Sequence, residues 1–429
     1  MGFGRARMTS SAAPTTWFGQ PRGLTVLFLT NMWEQFSYYG MRALLVYYMT
    51  KSLLLGQGTA SLIYGTYTAC AYFTPIVGGV VADRFLGKRR AVIIGASIMA
   101  AGHFMMAFDG LFYPALATIA LGNGLFLPTL PSQINDLYAA DDPRRGWAYN
   151  VYYVGINIGG FLAPLICGTL GEVYGWHYGF AAAGIGMVAG LLIYLWGGKH
   201  LSAEPTRAAA TQVRGSFDRS TIGVLVAVAL SVTVFRGAYE QVGNTVALWA
   251  DAAVDRRAGS MMVPMTWFQS LNPLLVMVMT PPLLALWQRR AAAGHPGHAT
   301  RRMAGGALVV AGAYLLLAAV ASSDGRADWR WLVAFFAVFT LGELFVLPTG
   351  LGLFARLAPR GLGATTVAAW YLTIFSGSLS AGLVGTLWTR MSHAVFFALL
   401  AGIASLAALL LLSASPLLER ASLLQKGDE

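Results

Sequence analysis

NMWEQFSYYGMR, residues 31–42, sets how the rest of the chain is read. It places Asn31, Glu34, Gln35, Tyr38, Tyr39 and Arg42 inside an otherwise apolar segment running from Leu24 to Thr50. An ionised side chain at the centre of a bilayer helix costs about 2.5–3.5 kcal/mol on insertion scales, so such residues face a bundle interior and serve a pathway. Asn31, Glu34, Gln35, Tyr38 and Arg42 follow helical spacing. They form one polar stripe down a helix that is apolar elsewhere.

Composition supports the same class. The 429 residues are 56% hydrophobic and 11% charged, with mean hydropathy +0.60 and 50 glycines, far from the balance of a soluble domain. A spanning helix needs about 20 apolar residues. The sequence predicts twelve such segments, at 24–50, 61–82, 91–108, 112–137, 147–170, 177–197, 220–250, 262–287, 304–321, 331–357, 364–389 and 394–413. The formal charge of +11 does not indicate nucleic acid, because the basic residues follow loop parity. Of the 29 Lys and Arg, six (Lys51, Arg256, Arg257, Arg326, Arg330, Arg390) fall in odd-numbered loops, and Arg42 and Arg236 fall inside segments. The remainder lie at the termini and in even-numbered loops. By the positive-inside rule both termini are cytoplasmic, as expected for an integral protein of a bacterial-type plasma (inner) membrane. The first twenty residues lack the apolar core of a cleavable signal and read as a short cytosolic tail.

Cys70 and Cys167 both lie within predicted helices, so neither a disulfide framework nor a thiolate metal site is expected. No HExxH or GxSxG stands in a context that would support catalysis, and no catalytic residue, metal or cofactor is assigned. The polar basic stretch from Gly198 to Arg219 divides the chain into an N-terminal six-helix bundle (1–198), a cytosolic linker (199–219) and a C-terminal six-helix bundle (220–429). LGNGLFLPT (121–129) and LGELFVLPT (341–349) share the frame LGxxxxLPT on equivalent helices of the two halves. Parallel repeats of this kind place a transporter's substrate site at the midplane between them.

GGVVADRFLGKRR (78–90) resembles the signature loop of the major facilitator superfamily, where an Asp beside a basic cluster can latch a neighbouring helix end. Within that superfamily, the first helix resembles the ExxERFxYYG signature of the proton-coupled oligopeptide transporters. YYVGINIGG (152–160), AYEQVGNT (238–245), WFQSLNP (267–273), GELFVLPTGLG (342–352) and AAWYL (368–372) are similar to that family's motifs in its fifth, seventh, eighth, tenth and eleventh helices. The resemblance implies an all-α major facilitator fold that moves di- and tripeptides by alternating access with proton symport, with peptide, protons and membrane lipid as partners. It implies that Tyr38, Tyr39, Arg42, Tyr72, Asn157, Asn272, Glu343 and Trp370 line the peptide cavity. Arg236, standing where the family has a tryptophan, is counted with them. Arg offers a fork for a carboxylate, Glu takes an ammonium, and Asn serves peptide groups. Arg42 and Glu240 are expected to pair between the halves, although Arg236 and Glu240, one turn apart, can also satisfy each other within their helix.

The departures matter equally. Asn31 and Gln35 stand in place of a carboxylate and a guanidinium of ExxER, and Leu127 stands where the family has a lysine. Two intramembrane cations, Arg42 and Arg236, then face three carboxylates, Glu34, Glu240 and Glu343, leaving one carboxylate without a fixed partner. A desolvated, unpartnered carboxylate favours its protonated form, which makes Glu343 the expected proton carrier and Glu34 the second. The alternative is a transporter of a peptide-like metabolite, antibiotic or anion with altered or lost coupling. His103 reads as a satisfied core residue, and Asp251, Asp255, Asp324 and Asp328 as solvated loop charges.

Overall fold

The computed structural model describes residues 15–16, 19–138, 142, 144–202, 219–294, 297–358 and 363–427. Most of the expected linker, 203–218, lies outside the described residues. Among the described residues, twelve helical spans follow one another. They are α1 (Arg22–Tyr47), α2 (Gln57–Leu86), α3 (Lys88–Met105), α4 (Asp109–Asp136), α5 (Arg144–Val173), α6 (Trp176–His200), α7 (Thr221–Ala253), α8 (Met265–Ala292), α9 (Ala299–Ala321), α10 (Arg330–Arg356), α11 (Thr366–Arg390) and α12 (His393–Pro416). Ten of these are long and apolar enough to cross a membrane. The other two are α1, diluted by its polar stripe, and α3, which opens on Lys88, Arg89 and Arg90.

The pairing of helices repeats. In the first half α1 packs on α5 and α6, α4 on α2 and α3, and α3 on α6. In the second half α7 packs on α11 and α12, α10 on α8 and α9, and α9 on α12. Adding six to each label of the first set yields the second. The seams between the halves obey the same rule, since α2 meets α11 and α5 meets α8.

The shared LGxxxxLPT frame shows how sequence produces this geometry. A Cβ on Gly122 of α4 would lie 2.7 Å from the carbonyl oxygen of Gly95 on α3, and one on Gly342 of α10 would lie 2.6 Å from that of Gly306 on α9. Only glycine lets the backbones approach this closely. The repeats differ one turn later. The α4 span loses regular α-helix at Leu127 and Pro128, whereas α10 runs on through Pro348.

Each half builds its own apolar core. Phe335, Phe336, Phe339, Phe396 and Phe397 anchor the second, and Tyr48, Tyr64, Phe112 and Phe180 anchor part of the first. At the first position of α3, Lys88 holds Asp136 of α4 at 2.6 Å, so a basic residue of the signature motif latches a neighbouring helix end.

Candidate functional site

Regular α-helix in α7 stops at Tyr239, and Glu240–Gly243 form a tight 3-10 turn partway along the span. This break presents Glu240 to the first half. A Cβ on Gly243 would collide with the Tyr64 hydroxyl, so the turn requires glycine there. Arg42 Nη2 donates to Glu240 Oε2, and Arg236 Nη2 donates to Glu240 Oε1. Both pairs expected from the sequence therefore form, on opposite oxygens of one carboxylate. Arg42 Nε also donates to Tyr64 Oη at 2.6 Å. The Arg236 guanidinium lies 5.1 Å from the ring centre of Tyr239 and 5.8 Å from that of Tyr72.

This sharing corrects the sequence-based count of charges. Two carboxylates, not one, are left without a cation among the described residues. Glu343 accepts from Tyr239 Oη at 2.8 Å and from Asn272 Nδ2 at 2.5 Å, and Asn272 also donates to Thr340 at 3.1 Å. Glu34 accepts from Gln35 Nε2 at 2.7 Å, within its own helix. Both are buried, and their partners are neutral.

Other residues of the expected site gather around this centre. Tyr38 and Tyr39 meet edge to face at 5.4 Å. Tyr39 lines a chamber of about 50 Å³ with Arg42, Tyr239, Gln269 and Asn272. That volume suits a few water molecules. Gly160 brings the Asn157 segment of α5 against Tyr39 and Pro273, while the Asn157 amide itself donates to Tyr153 O at 2.9 Å. Tyr72 stacks on Tyr371 at 6.3 Å between the halves.

Trp370 is not brought to this centre. It packs on Phe354 at 5.2 Å and against Gly350 in the core of the second half, because its large apolar ring fills the space that Gly350 leaves. His103 is buried, but neither ring nitrogen has a partner among the described residues, so it is a core residue without being a satisfied one. Asp251 is not a solvated charge either. It pairs with Lys51 at 2.6 Å and lies 3.5 Å from Arg256.

That pair belongs to a seal that motif reading missed. Glu172 at the end of α5 accepts from the backbone N–H groups of Met265 and Thr266 at 3.0 and 2.9 Å and from Thr266 Oγ1 at 2.6 Å. Trp267 Nε1 donates to Thr169 Oγ1 at 2.7 Å. On the opposite seam Ser61 donates to Asn244 at 3.0 Å, Gln57 to Gly385 O at 3.1 Å, and Gly65 abuts Gly382. These contacts lie between the midplane and the odd-numbered loops and close the bundle at that end. The available signal was Glu172, an acidic residue next to an odd-numbered loop two residues before an aromatic–glycine turn.

A protein-family model described as PTR2, the POT family, matches residues 89–213 and 207–400. The chain belongs to the POT family. Among the relatives of this POT-family chain, the uncharacterized transporter YclF of Bacillus subtilis (strain 168) is 31% identical, covering 94% of this chain and 95% of its own length. The di-/tripeptide transporter of Lactococcus lactis subsp. cremoris is 30% identical over 90% of this chain and 93% of its own. Among solved structures, the peptide transporter POT in complex with sulfate superimposes with TM-score 0.87 at 27% identity, over 95% of this chain and 98% of that one. A mutant of peptide transporter POT in complex with alafosfalin gives 0.86 at 28% identity, with the same coverage of 95% and 98%. The fold is thus the all-α major facilitator architecture expected from the motifs.

Proposed function

We propose that this POT-family chain carries di- and tripeptides across the membrane by alternating access, driven by a proton gradient and needing no bound cofactor. The observation that carries this reading is the convergence of Arg42 and Glu240, from opposite halves, at a seam closed on one side. Beside it stands a cation acceptor, Glu343 held by Asn272 and Tyr239. A zwitterion needs a guanidinium for its carboxylate and a carboxylate for its ammonium, and both are desolvated here. Tyr38, Tyr39, Tyr72 and Asn157 supply walls and amide contacts, and Arg236 adds a second cation. The di-/tripeptide transporter of Lactococcus lactis supports this substrate class.

Glu343 is the main proton carrier and Glu34 the second, since each is buried with only neutral donors around it. Protonation removes a charge that would resist closing the cavity. Residues 1–198 and 220–429 act as two bundles that rock about the seams α2–α11 and α5–α8, joined by the linker 199–219. The protein sits in the plasma (inner) membrane of a bacterium among lipid, with both termini cytoplasmic, and the Glu172 seal therefore faces outward. Uptake of labelled di- and tripeptides into proteoliposomes under an inward proton gradient tests this. Accumulation above the external concentration, abolished by collapsing the gradient, is expected; uptake insensitive to the gradient rules out coupling, and failure to take up any peptide rules out the substrate class.

A further inference from the structure

Arg236 is a buried cation that the link between Arg42 and Glu240 does not require. Its side chain is 5% exposed, and one terminal nitrogen is spent on Glu240. Its Nε has no hydrogen-bond partner among the described residues, and the same holds for the buried hydroxyls of Tyr38 and Tyr67. Buried donors are rarely left unmade, because each forfeits its hydration without replacement. Arg236 lies directly behind two residues that line the chamber, against the Tyr239 ring and on the carboxylate it shares with Arg42, and beside a binding chamber such donors can stay open until a ligand oxygen arrives.

Charge points the same way. Arg42 and Arg236 share one carboxylate, so once Glu343 and Glu34 carry protons the cluster is left with one excess positive charge in a largely buried setting. Arg42 and the Glu343–Asn272 pair suffice for the two ends of a neutral peptide. Arg236 shares Glu240 with Arg42 and stands one tyrosine ring away from Glu343, with its Nε left open. Its Cζ is 5.1 Å from the ring centre of Tyr239, whose hydroxyl donates to Glu343 at 2.8 Å.

We propose, resting on the peptide-transport reading above, that Arg236 forms an anion subsite within the peptide cavity. It selects di- and tripeptides that carry an extra anionic group, such as an Asp or Glu side chain. The acidic group takes the open Nε donor and offsets the excess charge. A lysine-bearing peptide meets two guanidinium groups and is rejected by like-charge repulsion. When Glu343 carries its proton, its carbonyl oxygen still accepts from the peptide ammonium, and an acidic peptide leaves the occluded chamber nearer neutrality than a neutral one does, so proton and acidic substrate enter together at lower electrostatic cost.

Calorimetric titration of the full-length protein in detergent with Ala-Ala, Asp-Ala and Lys-Ala tests the assignment. Wild type should bind Asp-Ala about tenfold tighter than Ala-Ala, the equivalent of about 1.4 kcal/mol, and Lys-Ala weakest. Arg236→Gln, which keeps the Cβ packed against Gly377, should collapse the ratio of Asp-Ala to Ala-Ala toward one. Arg236→Lys should retain part of it, a rescue that loss of packing alone would not produce. An unchanged ratio in Arg236→Gln, or a wild type without acidic preference, overturns the subsite and leaves peptide transport standing. A wild type that binds none of the three, nor any of a wider peptide library, overturns the peptide reading and the subsite with it.

Discussion

Segments 121–129 in α4 and 341–349 in α10 share one frame, one partner geometry and nearly one backbone contact, yet they carry different chemistry. Gly122 meets Gly95, and Gly342 meets Gly306, at distances that agree within 0.1 Å (2.7 against 2.6 Å). At the next position α4 has Asn123 and α10 has Glu343. The Asn123 amide donates to the backbone oxygen of Ala71 at 2.7 Å and serves as a tether between α4 and α2. Glu343 instead accepts from side chains of α7 and α8. A repeat can therefore conserve the glycine contact that sets helix distance while one half alone acquires an ionisable group. The scaffold is symmetric, and the chemistry is not.

The largest expected effect tests whether that asymmetry is centred on Glu240. Arg42→Ala leaves Arg236 paired with Glu240, whereas Glu240→Ala strands two guanidinium groups, one buried and one partly buried. Removing one partner of a buried pair costs about 3–5 kcal/mol. Both variants should lose concentrative peptide uptake, and Glu240→Ala should melt at the lower temperature. Normal uptake by Glu240→Ala would show that the two halves are not held through this carboxylate.

Glu343→Gln sharpens the comparison at the next level. The amide still fits between Asn272 and Tyr239, so folding should survive, while accumulation driven by an inward proton gradient should vanish and counterflow exchange persist. Should Glu343→Gln still concentrate peptide, the proton resides elsewhere, and Glu34→Gln becomes the informative variant.

The glycine contacts predict equality instead of difference. Gly122→Ala and Gly342→Ala each force a methyl group against a facing carbonyl, and overpacking of this kind costs about 1–3 kcal/mol. Differential melting in detergent should show similar losses for the two. A loss confined to one half would break the equivalence of the helix pairs.

The smallest effect belongs to the tether. Asn123→Ala removes one hydrogen bond worth about 0.5–1.5 kcal/mol, which should lower the melting temperature by a few degrees while gradient dependence stays intact. Gradient-insensitive uptake in Asn123→Ala would mean that α4 takes part in coupling after all.

Hydrophobic run length, loop charge and the spacing of polar residues are local properties, and they sufficed for the class, the twelve spans and the repeat. The motif order was enough to indicate the family. Asn31, Glu34, Gln35, Tyr38 and Arg42 could be recognised as one stripe because helical periodicity depends only on neighbours along the chain. Partner choice is different in kind. Arg42 and Glu240 stand 198 residues apart, and which oxygen each arginine takes depends on the 3-10 break after Tyr239 and on how α1 and α7 approach. From composition, two cations against three carboxylates imply one unpaired acid; the tertiary arrangement leaves two, because both guanidinium groups reach the same carboxylate. Asp251 likewise reads as a solvated loop charge until Lys51 is brought to it across the seam, and Trp370 as a cavity wall until Gly350 provides it with a place in the core. Charges and rings are visible in a sequence, but the neighbours that neutralise or bury them are fixed only when distant helices pack.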